Sequence, residues 1–171
     1  MLRYIDNRVG QNPTKEGNMT TLTKGDKAPA FQLVDQQEHS VSLADFQGKK
    51  LLVYFYPRAD TPGCTRQSCS VSEAMPNLKN LAVAAVGISP DAPEKQKKFD
   101  EKYNLQFPLL SDPDFAVARA FGAFGVKTSY GKQTEGIIRS SFLIGEDGLI
   151  IGAWYKVSPE DTVPNLLSLL S

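Results

Sequence analysis

The chain is poor in the groups that most enzyme mechanisms use. Its 171 residues include one histidine, two cysteines and one tryptophan, and 19 lysines and arginines are offset by 19 aspartates and glutamates. A lone imidazole, His39, and the lack of a cysteine cluster argue against a metal centre and against Ser–His chemistry, both of which need several well-placed groups. Zero net charge leaves no field to gather nucleic acid or an anionic membrane surface. No apolar stretch approaches the roughly 20 residues of a membrane span, and runs such as FLIG and LLVYFY fall far short. The opening segment MLRYIDNRVGQNPTKEGN has no secretory-type apolar core and carries Asp6 and Glu16, which speaks against a signal or transit peptide and makes a cytoplasmic address the expectation. In that reducing compartment two cysteines are not a structural staple. They are either inert core residues or reactive ones.

A chain of this length fits one domain, because it can bury roughly 70% of its unfolded surface. Residues 1–21 are polar, with Gly10, Pro13 and Gly17 and no apolar period, and are expected to be an extension. Met19 is a possible alternative start, and the domain is expected over residues 22–171. FQLVDQQEHSVSL alternates about a polar turn and predicts a hairpin. KKLLVYFYP predicts a strand buried on both faces and ended by Pro57, which has no donor for the ladder. TPGCTRQSCSVSEAMPNL predicts a loop and then a helix, LAVAAVGIS a second buried strand, and PEKQKKFDEKYN a second helix. A short strand over Phe107 to Leu110 and a short helix closed at Gly122 follow. GIIRSSFLIGEDGLIIGAWYKV predicts two strands about a GEDG turn, and VPNLLSLL a final helix. The order implies an α/β thioredoxin-like fold, a mixed central sheet flanked by helices with an N-terminal hairpin.

Cys64 falls just after a buried strand, in the first turn of a helix opened by Thr61, Pro62 and Gly63. Free backbone N–H groups and the positive end of the helix dipole favour a thiolate there, and thiolate is the nucleophilic form. Thr61 suits the N-cap or a hydrogen bond to the sulfur, and Pro62 suits the first turn. A buried, inert thiol remains the equal alternative on placement alone. Cys69 is five residues on, so in a regular helix the two α-carbons are roughly 8 to 9 Å apart. No disulfide spans that distance. The pair is therefore either two unrelated thiols or a pair that bonds only after local unfolding. Arg139 interrupts the apolar run GIIRSSFLI, and arginine is seldom buried without partners. It either serves a site or is a strand-end residue that faces water or pairs with Glu135.

The segment VYFYPRADTPGCTRQSCS resembles the active-site segment of peroxiredoxins, whose pattern Pro-x-x-x-Thr/Ser-x-x-Cys is met by Pro57, Thr61 and Cys64. The four-residue gap before Cys69 is similar to that of the peroxiredoxin Q, or bacterioferritin comigratory protein, subfamily. The likeness continues through GDKAPAFQL, VSLADFQGK, VGIS, PLLSD, FGVK, GIIRSSFLI and DG, about residues 24 to 155. The resemblance implies a peroxidase for hydrogen peroxide and organic hydroperoxides with no metal or organic cofactor. It gives Cys64 the peroxidatic role, with a sulfenic acid product, and Cys69 the resolving role, with a disulfide that thioredoxin, or else glutaredoxin, reduces. It further implies that Thr61 hydrogen-bonds sulfur and peroxide, that Pro57 shields the sulfur from water, and that Arg139 is the family's arginine. A monomer is expected ahead of a dimer. Two rivals stay open: a one-cysteine peroxidase with Cys69 structural, and a non-catalytic thioredoxin-like binding module.

Two departures stand out. The subfamily's aromatic-Arg-Asp run after the second cysteine is replaced by SVSEA, and a glutamate often found between the cysteines is replaced by Gln67. Neither is expected to touch the catalytic pattern. His39 is expected in a solvated turn, KQKK (residues 95–98) on a solvated helix face, and Phe115, Phe121 and Phe124 in the core.

Overall fold

LLVYF is apolar at every position, and a strand of that kind is stable only with both faces covered. In the computed structural model, which describes residues 21–170, it forms β3 (Lys50–Phe55), with Leu51 to Phe55 fully buried. The expected extension over residues 1–21 and the start at Met19 lie outside the described residues, apart from Thr21. Before β3 come β1 (Gln32–Val34) and β2 (Ser40–Ser42), an antiparallel hairpin whose turn is held by Asp35 Oδ1 accepting the Gln37 and His39 N–H groups, each at 2.9 Å. His39 is exposed there. After β3 come α1 (Pro62–Asn80), β4 (Val83–Ser89), α2 (Pro93–Tyr103), β5 (Leu109–Ser111) and α3 (Ala116–Phe121). β6 (Phe124–Ser129), β7 (Lys132–Ile137), β8 (Ser140–Ile144), β9 (Ile150–Tyr155) and α4 (Thr162–Leu170) complete the domain.

The main sheet has the order β2-β1-β5-β4-β3-β8-β9. β3, β4 and β5 run parallel, and β8 and β9 add antiparallel strands at one side. Because side chains alternate along β3, Leu51, Val53 and Phe55 enter one core layer with Phe121 of α3, while Leu52 and Tyr54 enter the other with Val71 and Leu78 of α1, Phe99 of α2 and Leu166 of α4. The result is the expected thioredoxin-like α/β fold, a mixed sheet with helices on both faces. The short helix α3 is opened by Asp112, whose carboxylate accepts the Val117 and Ala118 N–H groups at 3.2 and 2.9 Å, and closed by Gly122 at φ 77°. Burial pushes the Asp112 carboxyl above its ordinary range.

Two features differ from the sequence expectation. GIIRSSFLI is not one strand: β7 ends at Ile137 and β8 begins at Ser140, leaving Ile138 and Arg139 in a break. Also, β6 and β7 form a separate two-stranded sheet turned at Tyr130 and Gly131, with φ of 52° and 76°. A two-residue turn with both φ values positive is a hairpin signal, but the flanking residues are mostly polar and hide the strand period.

Gly87 of β4 lies beside Tyr54 in register, and a Cβ there would sit 2.8 Å from Tyr54 Cζ and Oη. Gly87→Ala is therefore expected to destabilise the domain by about 1–3 kcal/mol through overpacking. A urea midpoint equal to that of the wild type would refute this.

Candidate active site

β3 ends at Phe55, and a short loop from Pro57 to Thr61 leads into helix α1 at Pro62. Thr61 occupies the N-cap position with φ −97° and ψ 157°, and Pro62 takes the first turn, where a missing N–H costs nothing. Cys64 is the third residue of the helix and only 1% exposed. Its sulfur therefore lies at the end of the helix where unpaired N–H groups favour an anion.

Arg139 reaches this sulfur from the break between β7 and β8. Its carbonyl accepts the Val157 N–H at 3.0 Å, which fixes the main chain. Its Nη1 lies 3.5 Å from Cys64 Sγ and donates to Gln67 Oε1 at 2.8 Å. Neither partner is Glu135, which is exposed on β7, so the water-facing alternative for Arg139 does not hold. Gly63 makes room for the guanidinium: a Cβ there would be 3.1 Å from Arg139 Nη2 and 3.4 Å from Pro159 Cγ.

Gln67 corrects the sequence reading, which gave it no part in the site. It is fully buried, three residues after Cys64 on the same face of α1, and its Nε2 donates to Thr162 Oγ1 of α4 at 2.9 Å. Its amide is thus held at both ends, oxygen toward Arg139 and nitrogen toward Thr162. A glutamate here would place a charge against the guanidinium, whereas the amide orients Arg139 and leaves its positive charge directed at the sulfur. The spacing from Cys64 was the available signal. Nothing in the sequence points to Thr162.

The Thr61 hydroxyl donates to the Arg58 carbonyl at 2.8 Å rather than to Cys64. Pro57 is half-buried and, with Ile138, Arg139 and Val157, lines a cavity of about 510 Å³ whose far wall is Val126 to Thr128 of the β6–β7 hairpin. Cys69 is half-buried on the same helix, and both thiols are free. Burial, and then the nearby Glu73 carboxylate, push the Cys69 thiol up, so it is held protonated. Between the cysteines, Ser68 shares a 2.7 Å hydrogen bond with the buried Tyr54 hydroxyl, whose own pKa burial raises strongly. At the surface Arg66 meets Glu160 at 2.7 Å. Among the described residues no group of three or more His, Cys, Asp or Glu is placed to hold a metal ion, and no helix is long and apolar enough to cross a membrane.

The sequence profile of the AhpC/TSA family matches residues 24–153. Peroxiredoxin Bcp of Escherichia coli is 52% identical over 132 residues, covering 77% of this chain and 85% of its own. Peroxiredoxin Bcp of Bacillus subtilis is 40% identical over 150 residues, covering 88% and 96%. Among solved structures, peroxiredoxin Q of Xanthomonas campestris superposes with a TM-score of 0.77 at 34% identity, covering 82% of this chain and 89% of its own. A further structure, described in terms of the alkyl peroxide reduction activity of the X. campestris bacterioferritin comigratory protein, gives 0.76 at 33% identity, with 81% and 89% covered.

Removing the amide that anchors Arg139 should loosen the guanidinium from its place beside the Cys64 sulfur. In Gln67→Leu, alkylation of Cys64 by iodoacetamide at neutral pH is expected to slow roughly 3- to 10-fold, in line with about 0.5–1.5 kcal/mol net for one hydrogen bond. An unchanged rate would show that Arg139 holds its place without Gln67. In Cys64→Ser, alkylation of Cys69 is expected to rise only at a pH above that of a free thiol, because burial and Glu73 disfavour its anion.

Proposed function

Since the chain belongs to the AhpC/TSA family of peroxiredoxins and is a thiol peroxidase, we propose that Cys64 is its peroxidatic cysteine, Cys69 its resolving cysteine, and thioredoxin its reductant. The observation that carries this reading is the Arg139 guanidinium 3.5 Å from the buried Cys64 sulfur at the start of α1.

The Cys64 thiolate attacks one oxygen of the hydroperoxide, and the O–O bond breaks heterolytically. Sulfur gains the hydroxyl to become a sulfenic acid, and the other oxygen leaves with the electron pair, taking a proton to become water or an alcohol. Arg139 supports both the thiolate and the negative charge on the leaving oxygen, the kind of preorganised stabilisation that carries much of the rate in such sites. Because the Thr61 hydrogen is already given to Arg58, the free lone pairs of Thr61 Oγ1 can accept from the peroxide O–H and aim that hydroxyl oxygen at the sulfur. Pro57 covers the approach and offers no N–H to hold water. The cavity beside Pro57 and Arg139 gives an organic hydroperoxide room for its tail, which fits the alkyl peroxide activity described for the X. campestris relative.

Resolution is the attack of the Cys69 thiolate on the Cys64 sulfenic sulfur, forming the S–S bond and expelling hydroxide, which leaves as water. Two electrons and two protons from the thioredoxin dithiol then restore both thiols. The helix holds the two cysteines roughly 8 to 9 Å apart at their α-carbons, so the first turns of α1 must open before this bond forms. That cycle needs a reducing compartment, in keeping with a cytoplasmic address.

Pure protein supplied with thioredoxin, thioredoxin reductase and NADPH is expected to consume peroxide, and Cys64→Ser to consume none. Turnover undiminished in Cys64→Ser would refute the assignment. One equivalent of peroxide should give a Cys64–Cys69 bridge on peptide mapping, with faster hydrogen exchange over residues 62–72. Sulfenic acid without the bridge would instead support a one-cysteine enzyme.

A further inference from the structure

The loop from Pro57 to Thr61 carries two of the proposed site residues but has little regular structure of its own. One of its peptide units is held from both sides. The Ala59 N–H donates to Asp91 Oδ2 at 2.7 Å, and the carbonyl of the same unit, that of Arg58, accepts the Thr61 hydroxyl at 2.8 Å. A trans peptide is planar, with its N–H and C=O pointing in opposite directions, so fixing the N–H fixes where the carbonyl points. Asp91 and the Thr61 hydroxyl are therefore coupled through a single rigid unit.

Asp91 is itself well fixed. Its side chain is 8% exposed, Ser89 Oγ donates to it at 2.8 Å, and Lys95 Nζ stands 3.5 Å from its other oxygen. Ser89 in turn accepts from the fully buried Gln96 at 3.0 Å, and Gln96 accepts the hydroxyl of Tyr56, the residue just before Pro57. One buried chain of polar groups, rooted in β4 and α2, thus grips the loop on both sides of Pro57.

We propose that Asp91 is a positioning residue for peroxide reduction, setting the direction of the Thr61 hydroxyl through the Arg58–Ala59 peptide. This rests on the peroxidase reading above. Without Asp91 that peptide is free to rotate, the Thr61 hydroxyl follows it, and the peroxide is no longer aimed at the sulfur. The thiolate is supported by the helix terminus and Arg139, which lie outside the loop, so its intrinsic nucleophilicity is preserved.

The test measures two rate constants for Cys64 in the full chain by quenched mass spectrometry, one with hydrogen peroxide and one with iodoacetamide. In Asp91→Ala the peroxide reaction is expected to slow about 10-fold or more, as misorientation of reacting groups does, with alkylation changed by less than about 2-fold. Asp91→Asn, whose amide oxygen still accepts from Ala59, is expected to recover most of the rate. In a Thr61→Val background Asp91→Ala should add little, because both changes remove the same contribution. A peroxide rate within about 2-fold of the wild type, parallel changes in both reactions, additivity with Thr61→Val, or an Asn variant as slow as the Ala variant each overturn the proposal. So does failure of Asp91→Ala to fold if Asp91→Asn, folded, is also slow. If Ala does not fold and Asn reacts at the wild-type rate with both reagents, the proposal stands on the retained Ala59 bond. An inactive wild type would overturn the peroxidase reading itself, whereas an active wild type with an unaffected variant removes only the role of Asp91.

Discussion

The organisation of the site depends on one cation in a partly dry place. Arg139 is brought to the Cys64 sulfur with a neutral amide as its other partner, and several otherwise unrelated features of the chain contribute to that placement. The strand that could have run through GIIRSSFLI breaks so that Arg139 leaves the ladder. Gly63 gives up a side chain so that the guanidinium can lie against the helix. Gln67 supplies a neutral acceptor, and Thr162 holds the nitrogen end of its amide. Buried charge is costly unless hydrogen-bonded, and here the bonds are arranged so that the guanidinium faces the Cys64 sulfur.

Most of the architecture could be read from the sequence because its signals were local. The apolar run of β3, the proline that ends it and the glycine that closes α3 each rest on residues within a few positions of one another. The placement of Cys64, Pro57 and Thr61 at one strand-to-helix junction was legible for the same reason. Arg139 was detectable as a charge in an apolar run, but that run also disguised the break around it. The β6–β7 hairpin was missed because its residues are too polar to show a buried period. Gln67 looked like an indifferent replacement, since its importance comes from Arg139 and Thr162, which are 72 and 95 positions away. Contacts at that separation leave no trace in spacing or composition.

The polar groups beneath the loop follow the same rule at a distance from the sulfur. Ser89 ends an ordinary buried strand, Asp91 follows it and Gln96 lies in an ordinary surface helix, and only their hydrogen bonds reveal them as a connected network. The KQKK segment illustrates this. Its lysines are solvated as expected, while the glutamine among them points inward and ties α2 to Ser89 and the Leu110 carbonyl.

The start of α1 is tied down by contacts of different strengths: the exposed Arg66–Glu160 pair, the buried Gln67–Thr162 bond and the Tyr54–Ser68 bond. On the proposed cycle these bonds act as a clock. The oxidised sulfur persists for as long as the helix takes to open, so the tighter the clamp, the longer Cys64 stays exposed to a second peroxide that would carry it beyond recovery by a thiol. Opening breaks many contacts at once and therefore quickens steeply on warming, whereas attack of the oxidised sulfur on a second peroxide breaks none of them. Cold, rather than heat, is thus the condition under which this fold leaves its own nucleophile most vulnerable.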